Sequence, residues 1–201
     1  MAWDTAKTRR LLLDAAVDEF AAQGPEGARI DRIAAAAGVN KERIYPYFGG
    51  KGQLFAAVVQ RELEQLAAAV PLEEADGRPV DLPEYAGRVF DYHLAHPHLL
   101  RLLQWEALSV GATGPVAGEE RRAAHYAEKI AAVSRARRGG TDGAPVGSTL
   151  PSNELLYAVV ALAGWQFAVP QLARMIIGGT VDQDPTARRA AVVDMVRRLA
   201  H

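Results

Sequence analysis

The sequence predicts an all-α protein, with a three-helix head carrying a helix-turn-helix and a helical-bundle body behind it, about nine helices in all. Three observations predict this class. Alanine and leucine recur at helical spacing through nearly every segment, no run of alternating β-branched residues marks a strand, and the breaks fall at glycine and proline clusters. With 201 residues, 49% of them hydrophobic, the chain can bury a core without crosslinks or metals. It has no cysteine, which removes disulfides, thiolate zinc sites and cysteine nucleophiles and suits a reducing cytosol.

The first helix is expected over residues 5–22, with Leu12, Ala16 and Phe20 on one face, ended by Gly24-Pro25-Glu26-Gly27. A short helix over residues 30–36 closes on Gly38, the residue type suited to a left-handed C-cap. Asn40 then caps a third short helix. Gly49-Gly50 separates it from a longer helix starting near Lys51, with Leu54, Val58 and Leu66 inward. Residues 71–80 read as a polar linker. Asp81-Leu-Pro-Glu84 has capping-box spacing with proline in the first turn, and that helix stops at His96, before Pro97. Further helices are expected over residues 97–109 and 119–136, and residues 137–150, rich in glycine, read as a mobile loop. A long apolar helix follows over residues 152–177. Asp184-Pro185 starts the last one.

Residues 155–173 hold no charge and come near the lower length limit of a membrane span, but Gln166, Pro170 and Gln171 interrupt them. A helix that is apolar all round can instead be buried between its own core and a partner. Met1-Ala-Trp-Asp4 lacks the basic flank and apolar run of a secretory signal, so a cytoplasmic protein with no membrane partner is expected.

Net charge is −1 overall, which gives no general attraction to nucleic acid. Locally the balance differs. Between Arg29 and Lys51 five cations face two anions, leaving +3 there and −4 elsewhere. Two short helices joined by a tight turn at Gly38 and braced by the first helix make a helix-turn-helix. The second short helix would present Asn40, Lys41, Glu42 and Arg43, of which Arg or Lys can pair with guanine O6/N7 and Glu can accept from cytosine N4. The same charges also suit an ordinary solvated face, and spacing alone does not separate the two readings.

Residues 8–55 resemble the DNA-binding head of TetR-family regulators. The resemblance is carried by Ala15-Ala16, Phe20 and Gly24, then Ile33-Ala34 and Ala37-Gly38-Val39, then Ile44-Tyr45, Tyr47-Phe48, Lys51 and Leu54. It implies that Asn40, Lys41, Glu42 and Arg43 face bases and that Tyr45 and Tyr47 lie along the phosphate backbone. Lys51 would hold a phosphate at a helix amino end, and Lys7, Thr8, Arg9 and Arg10 stand near further phosphates. Several positions depart from the family pattern. Arg29 stands where Ser or Thr commonly caps the second helix, losing a cap but adding a cation beside DNA. Glu42-Arg43 replace smaller residues, and Gly50 and Gly52 replace a common Ser and Glu around Lys51. Pro46 has no N–H for the Glu42 carbonyl and disfavours a helical Tyr45, so the recognition helix is expected to end early or turn irregular there.

Beyond residue 52 the reading rests on pattern. A domain boundary is expected there, giving a head of residues 1–52 and a dimerisation and effector body of residues 53–201. Helix-turn-helix proteins usually read two half-sites as dimers. Ala161, Gly164 and Ala168 permit close helix approach, and Val192, Val196 and Leu199 form a stripe on the last helix. These six are the expected homodimer interface. Aromatic residues gather along the body: Phe90, Tyr92, Trp105, Tyr126, Tyr157, Trp165 and Phe167, with His93, Glu106, His125, Gln166 and Arg174 as polar companions. Phe90, His93, Trp105, Tyr126, Trp165 and Gln166 are the candidates for contacting a small apolar or aromatic effector. The same residues would also serve as plain core.

His93, His96 and His98 invite a metal reading, but Pro97 redirects the third, so a helix junction explains them better and neither metal nor cofactor is expected. No GxSxG, GxxxxGK[ST] or HExxH motif marks an enzyme. The expected function is a homodimeric repressor released from a palindromic double-stranded DNA operator by a small molecule. Architectural DNA binding without an effector stands as the alternative.

Overall fold

The computed structural model describes residues 5–73, 81–111, 113–138, 149–179 and 184–200. The expectations for residues 1–4, for most of the linker over 71–80 and for most of the loop over 137–150 lie outside them. The described elements are α1 (Thr5–Gly27), α2 (Ile30–Ala37), a 3-10 turn (Lys41–Arg43), α3 (Ile44–Phe48), α4 (Lys51–Ala69), α5 (Leu82–Ala95), α6 (Pro97–Val110), α7 (Glu119–Arg138), α8 (Ser152–Ala168), α9 (Pro170–Ile177) and α10 (Pro185–Ala200). The chain is all-α, with no strand among the described residues. It forms two compact units. One comprises residues 1–65 with 98–118, the other residues 66–97 with 119–201.

The first unit closes around Leu12, Ala16 and Phe20 of α1, Ile33 of α2, Ile44 of α3, and Leu54 and Val58 of α4, all fully buried. Phe20 meets Phe55 edge-on at 5.1 Å. Each such side chain contributes about 1.5–3 kcal/mol of apolar burial, which fixes the three short elements as one body. Leu102 of α6 joins the same core.

The regular part of α1 ends at Gly24, whose φ of 68° and ψ of 172° are open only to glycine. Space demands glycine as well, since a Cβ there would lie 2.7 Å from the Trp105 ring. Trp105 also donates its indole N–H to the Ala21 carbonyl at 3.3 Å. Gly24→Ala is expected to cost about 3 kcal/mol or more from backbone strain plus overpacking, lowering Tm by roughly 5–12 °C. Thermal melts followed by far-UV circular dichroism measure this, and a shift under about 2 °C would contradict it.

In the second unit α5 packs against α10 and α8, and α8 against α7. Tyr85, Val89, Phe90, Leu155, Val159, Ala163, Val192 and Val196 form its interior. Asp81 precedes α5 as expected, and its carbonyl accepts from Tyr85 N–H at 2.8 Å, but its side chain makes no cap bond. Glu84 is drawn instead to Arg88 and Arg189. Asp184 does cap α10, accepting from Ala187 N–H at 2.8 Å.

The expected single helix over residues 152–177 is two helices. Val169 takes φ −132° and ψ 67°, and α8 and α9 meet at a bend of 98°. Proline supplies the reason, because Pro170 has no N–H to continue the ladder and its ring excludes Val169 from helical geometry. Among the described residues no single helix is long and apolar enough to cross a membrane, though the bent α8–α9 pair has the composition.

Candidate nucleic-acid interface

The turn between α2 and the recognition segment is set by Gly38 at φ 65°, with Gly38 N–H bonded to Ala35 O at 3.1 Å and Val39 N–H to Ala34 O at 3.0 Å. Asn40 follows in extended geometry, and its Oδ1 accepts from the Glu42 N–H at 3.0 Å, the expected N-cap. Lys41–Arg43 wind as a 3-10 turn and Ile44–Phe48 continue as α-helix. Ile44 and Phe48, four apart, are buried in the head core. That anchoring turns Asn40, Lys41, Glu42 and Tyr45 to solvent and leaves Arg43 and Tyr47 half-buried.

Pro46 does not end or distort the helix, contrary to the expectation. It sits in the first turn of α3, where a backbone N–H would have no intrahelical partner in any case. The irregular geometry lies upstream, in the 3-10 turn, and helical winding runs unbroken through Tyr47 to Gly49, whose N–H bonds Tyr45 O at 2.8 Å.

The cations around this segment are held to different degrees. Lys41 Nζ pairs with Asp31 at 3.1 Å, both side chains exposed, and the Asp31 carboxylate raises the lysine pKa. An exposed pair of this kind contributes little and can be exchanged for a phosphate or a base. Arg29 is exposed and gives no side-chain cap to α2; its backbone N–H is taken by the Glu19 carboxylate at 3.0 Å. Lys51 donates to the carbonyls of Glu26 at 3.0 Å and Ala28 at 3.4 Å, tying the start of α4 to the end of α1. That leaves one ammonium hydrogen for a phosphate. Lys7, Arg9 and Arg10 are exposed, with Arg9 over the Phe48 ring at 5.2 Å, whereas Thr8 is buried.

The six effector candidates fall in both units. Trp105 belongs to the first unit, braced against α1. In the second unit Phe90 and His93 are buried beside Phe167, with Phe90 at 5.1 Å from it and His93 at 6.1 Å. Gln166 is buried, and its Oε1 accepts from Arg188 at 3.1–3.2 Å. Trp165 and Tyr126 face solvent. The cleft along α7 is lined by none of these six; Tyr85 and Lys129 meet beside it. The signal for Lys129 is its place at i, i+3, i+4 with the buried Ala132 and Val133, a stripe in which a lysine is out of character.

The dimer candidates divide too. Val192, Val196 and Gly164 are buried within one protomer. Ala161 is exposed, and Ala168 and Leu199 are half-buried. The apolar surface lies on neighbouring positions: Tyr157 (78% exposed), Trp165 (58%), Met175 (72%), Ile176 (74%) and Ile177 (51%) on α8 and α9, with Met195 of α10.

The three histidines of the 93–98 stretch take separate partners. His93 is buried, His96 stacks on Tyr92 at 4.0 Å, and His98 pairs with the buried Glu62 at 2.9 Å. Burial, with help from His96, pushes the His93 pKa from 6.5 down to about 4. The unfolded chain therefore takes up this proton first as pH falls. Stability is expected to be flat above about pH 7, to fall by about 3 kcal/mol between 6.5 and 4, and to show no further His93 contribution below that. Urea melts across this window check it; His93→Leu should remove most of the slope, and an unchanged slope would contradict the assignment.

A short, outward-facing segment with a cationic and amide front, held over a three-helix core, defines a helix-turn-helix DNA-binding regulator. The family model described as "Bacterial regulatory proteins, tetR family" matches residues 12–58, and "Tetracyclin repressor-like, C-terminal domain" matches residues 81–198. The chain is 41% identical to the HTH-type transcriptional repressor SCO4008 of Streptomyces coelicolor over 98% of its own length and 96% of the relative's. It is 35% identical to the HTH-type transcriptional repressor NicS of Pseudomonas putida, over 52% of this chain and 50% of that one. The solved structure of SCO4942 from Streptomyces coelicolor superposes with a TM-score of 0.76 at 35% identity, covering 96% of this chain and 97% of that one. The chain belongs to the TetR family of bacterial transcriptional regulators.

Proposed function

We propose that the chain is a cytoplasmic homodimeric repressor that occupies a palindromic operator and leaves it when a small effector binds the body. The head, residues 1–52, reads DNA; the body, residues 53–201, dimerises and holds the effector. Asn40, Lys41, Glu42 and Arg43 approach base edges, Arg29 adds a cation alongside, and Tyr45, Tyr47 and Lys51 meet phosphates. The observation that carries this reading is the outward recognition segment, clamped from behind by Ile44 and Phe48. The exposed apolar strip of α8, α9 and α10 supports the dimer, since a lone protomer rarely leaves so many large apolar side chains in water. The repressor name of its relative SCO4008 supports the sign of regulation.

Effector release is a shift between two dimer forms whose heads are spaced differently, and it needs a ligand preferring the form that no longer matches successive major grooves. Mobility shift on the DNA upstream of the chain's own coding sequence tests the function. One complex of dimer stoichiometry is expected, dissolved by a compound that also raises the melting temperature. Failure to bind any upstream duplex, or a complex of a single protomer, would overturn it.

A further inference from the structure

Lys129 and Tyr85 make a buried donor pair with no further acceptor among the described residues. Lys129 is 8% exposed, and its ammonium donates to the Tyr85 hydroxyl at 2.8 Å and lies 5.2 Å from the centre of that ring. No carboxylate pairs with it among the described residues. Of the two acids lining the same cleft, Glu73 is engaged by Arg135 and Glu128 is turned to solvent. An ammonium carries three hydrogens and a phenol one, so spending one on the Tyr85 oxygen leaves three without an acceptor among the described residues. Burial lowers the Lys129 pKa to about 8 and raises that of Tyr85, the directions expected for charge held out of water. Burial also lowers His125 on the same cleft, again with help from Lys129, so that ring brings no positive charge of its own near neutral pH. Ala67, Pro71, Leu72, Ala131 and Ala132 supply apolar wall.

We propose that the effector is an amphipathic organic acid bound in this cleft, its carboxylate held by the Lys129 ammonium and the Tyr85 hydroxyl and its apolar body lying along Ala67, Leu72 and Ala132. The inference rests on the effector-released repressor reading and adds to it a site and a chemical class. A carboxylate fits because it only accepts, with two oxygens for two donors, and brings the missing counter-charge. An amide of the same shape brings its own donors and no charge, and a cation is repelled.

The test uses the full-length protein and matched probes: octanoate and phenylacetate against octanamide and phenylacetamide, by isothermal titration calorimetry without DNA. At least one acid is expected to bind about tenfold or more tighter than its amide, as a charge-assisted bond predicts. Lys129→Met is expected to abolish that preference, and Tyr85→Phe to reduce it. Without ligand, Lys129→Met is expected to raise Tm by about 2–4 °C, since it removes an uncompensated buried charge and keeps the volume. Equal binding of acid and amide, binding by neither acid, or a Lys129→Met protein that keeps the preference or melts lower, would overturn the proposal. A neutral or cationic compound that dissolves the operator complex would overturn the chemical class and leave the repressor intact. Absence of any operator complex would remove the repressor reading, while calorimetry would still decide the acid site.

Discussion

Arginine at both Tyr157 and Trp165 is expected to leave the purified chain monomeric and to weaken operator binding by about a thousandfold or more. Both side chains lie in solvent within the protomer, so the double variant should still fold, melting lower only by the stabilisation that dimerisation adds. In a two-fold interface each substitution appears twice, and four guanidinium groups would then have to give up water against Met175, Ile176 and Ile177. Binding falls because a single head makes too few contacts to hold one half-site tightly, and the pairing of two heads supplies the rest. Sedimentation equilibrium gives the mass, and fluorescence anisotropy on a labelled duplex gives the affinity. A variant that remains dimeric would move the interface elsewhere.

Removing Lys41 and Arg43 together is expected to lower specific operator affinity by about a thousandfold. A good base contact provides about 1–3 kcal/mol of discrimination, and the dimer loses each one twice. Removing Lys41 alone costs the free protein little, since the Lys41–Asp31 pair is exposed on both sides. The single variants separate the roles. A residue that reads a base relaxes sequence preference when removed, whereas one that meets a phosphate weakens all duplexes alike and flattens the salt dependence by about one unit of slope. An affinity within about threefold of the parent for the double variant would place base reading on other residues.

The head was readable because its signals are local. Gly38 and Asn40 carry their own turn and cap chemistry, and Ile44 and Phe48 are spaced to face one core, which leaves Asn40, Lys41 and Glu42 to face outward. Pro46 misled because proline's effect depends on where the helix starts. The 3-10 turn upstream places it in a first turn, where it costs nothing.

In the body, α8 is apolar on every side, so periodicity holds no information on which face meets α5 and which meets a partner. Val192 and Val196 were visible as a stripe, yet a stripe looks the same whether it packs on α5 of its own chain or on a second copy. Only tertiary packing shows that they are spent inside. Trp105 stands in a helix flanked by body helices but packs under Gly24, more than eighty positions away, a pairing no local pattern encodes.

Selection of bound duplexes from a random pool, with the purified protein at physiological salt, tests the central claim most directly. The account predicts enrichment of one inverted repeat, with half-site centres about one helical turn or a small multiple apart, and loss of that consensus in the Lys41→Ala, Arg43→Ala protein. A pool that stays random, or a consensus unchanged by those substitutions, would contradict it.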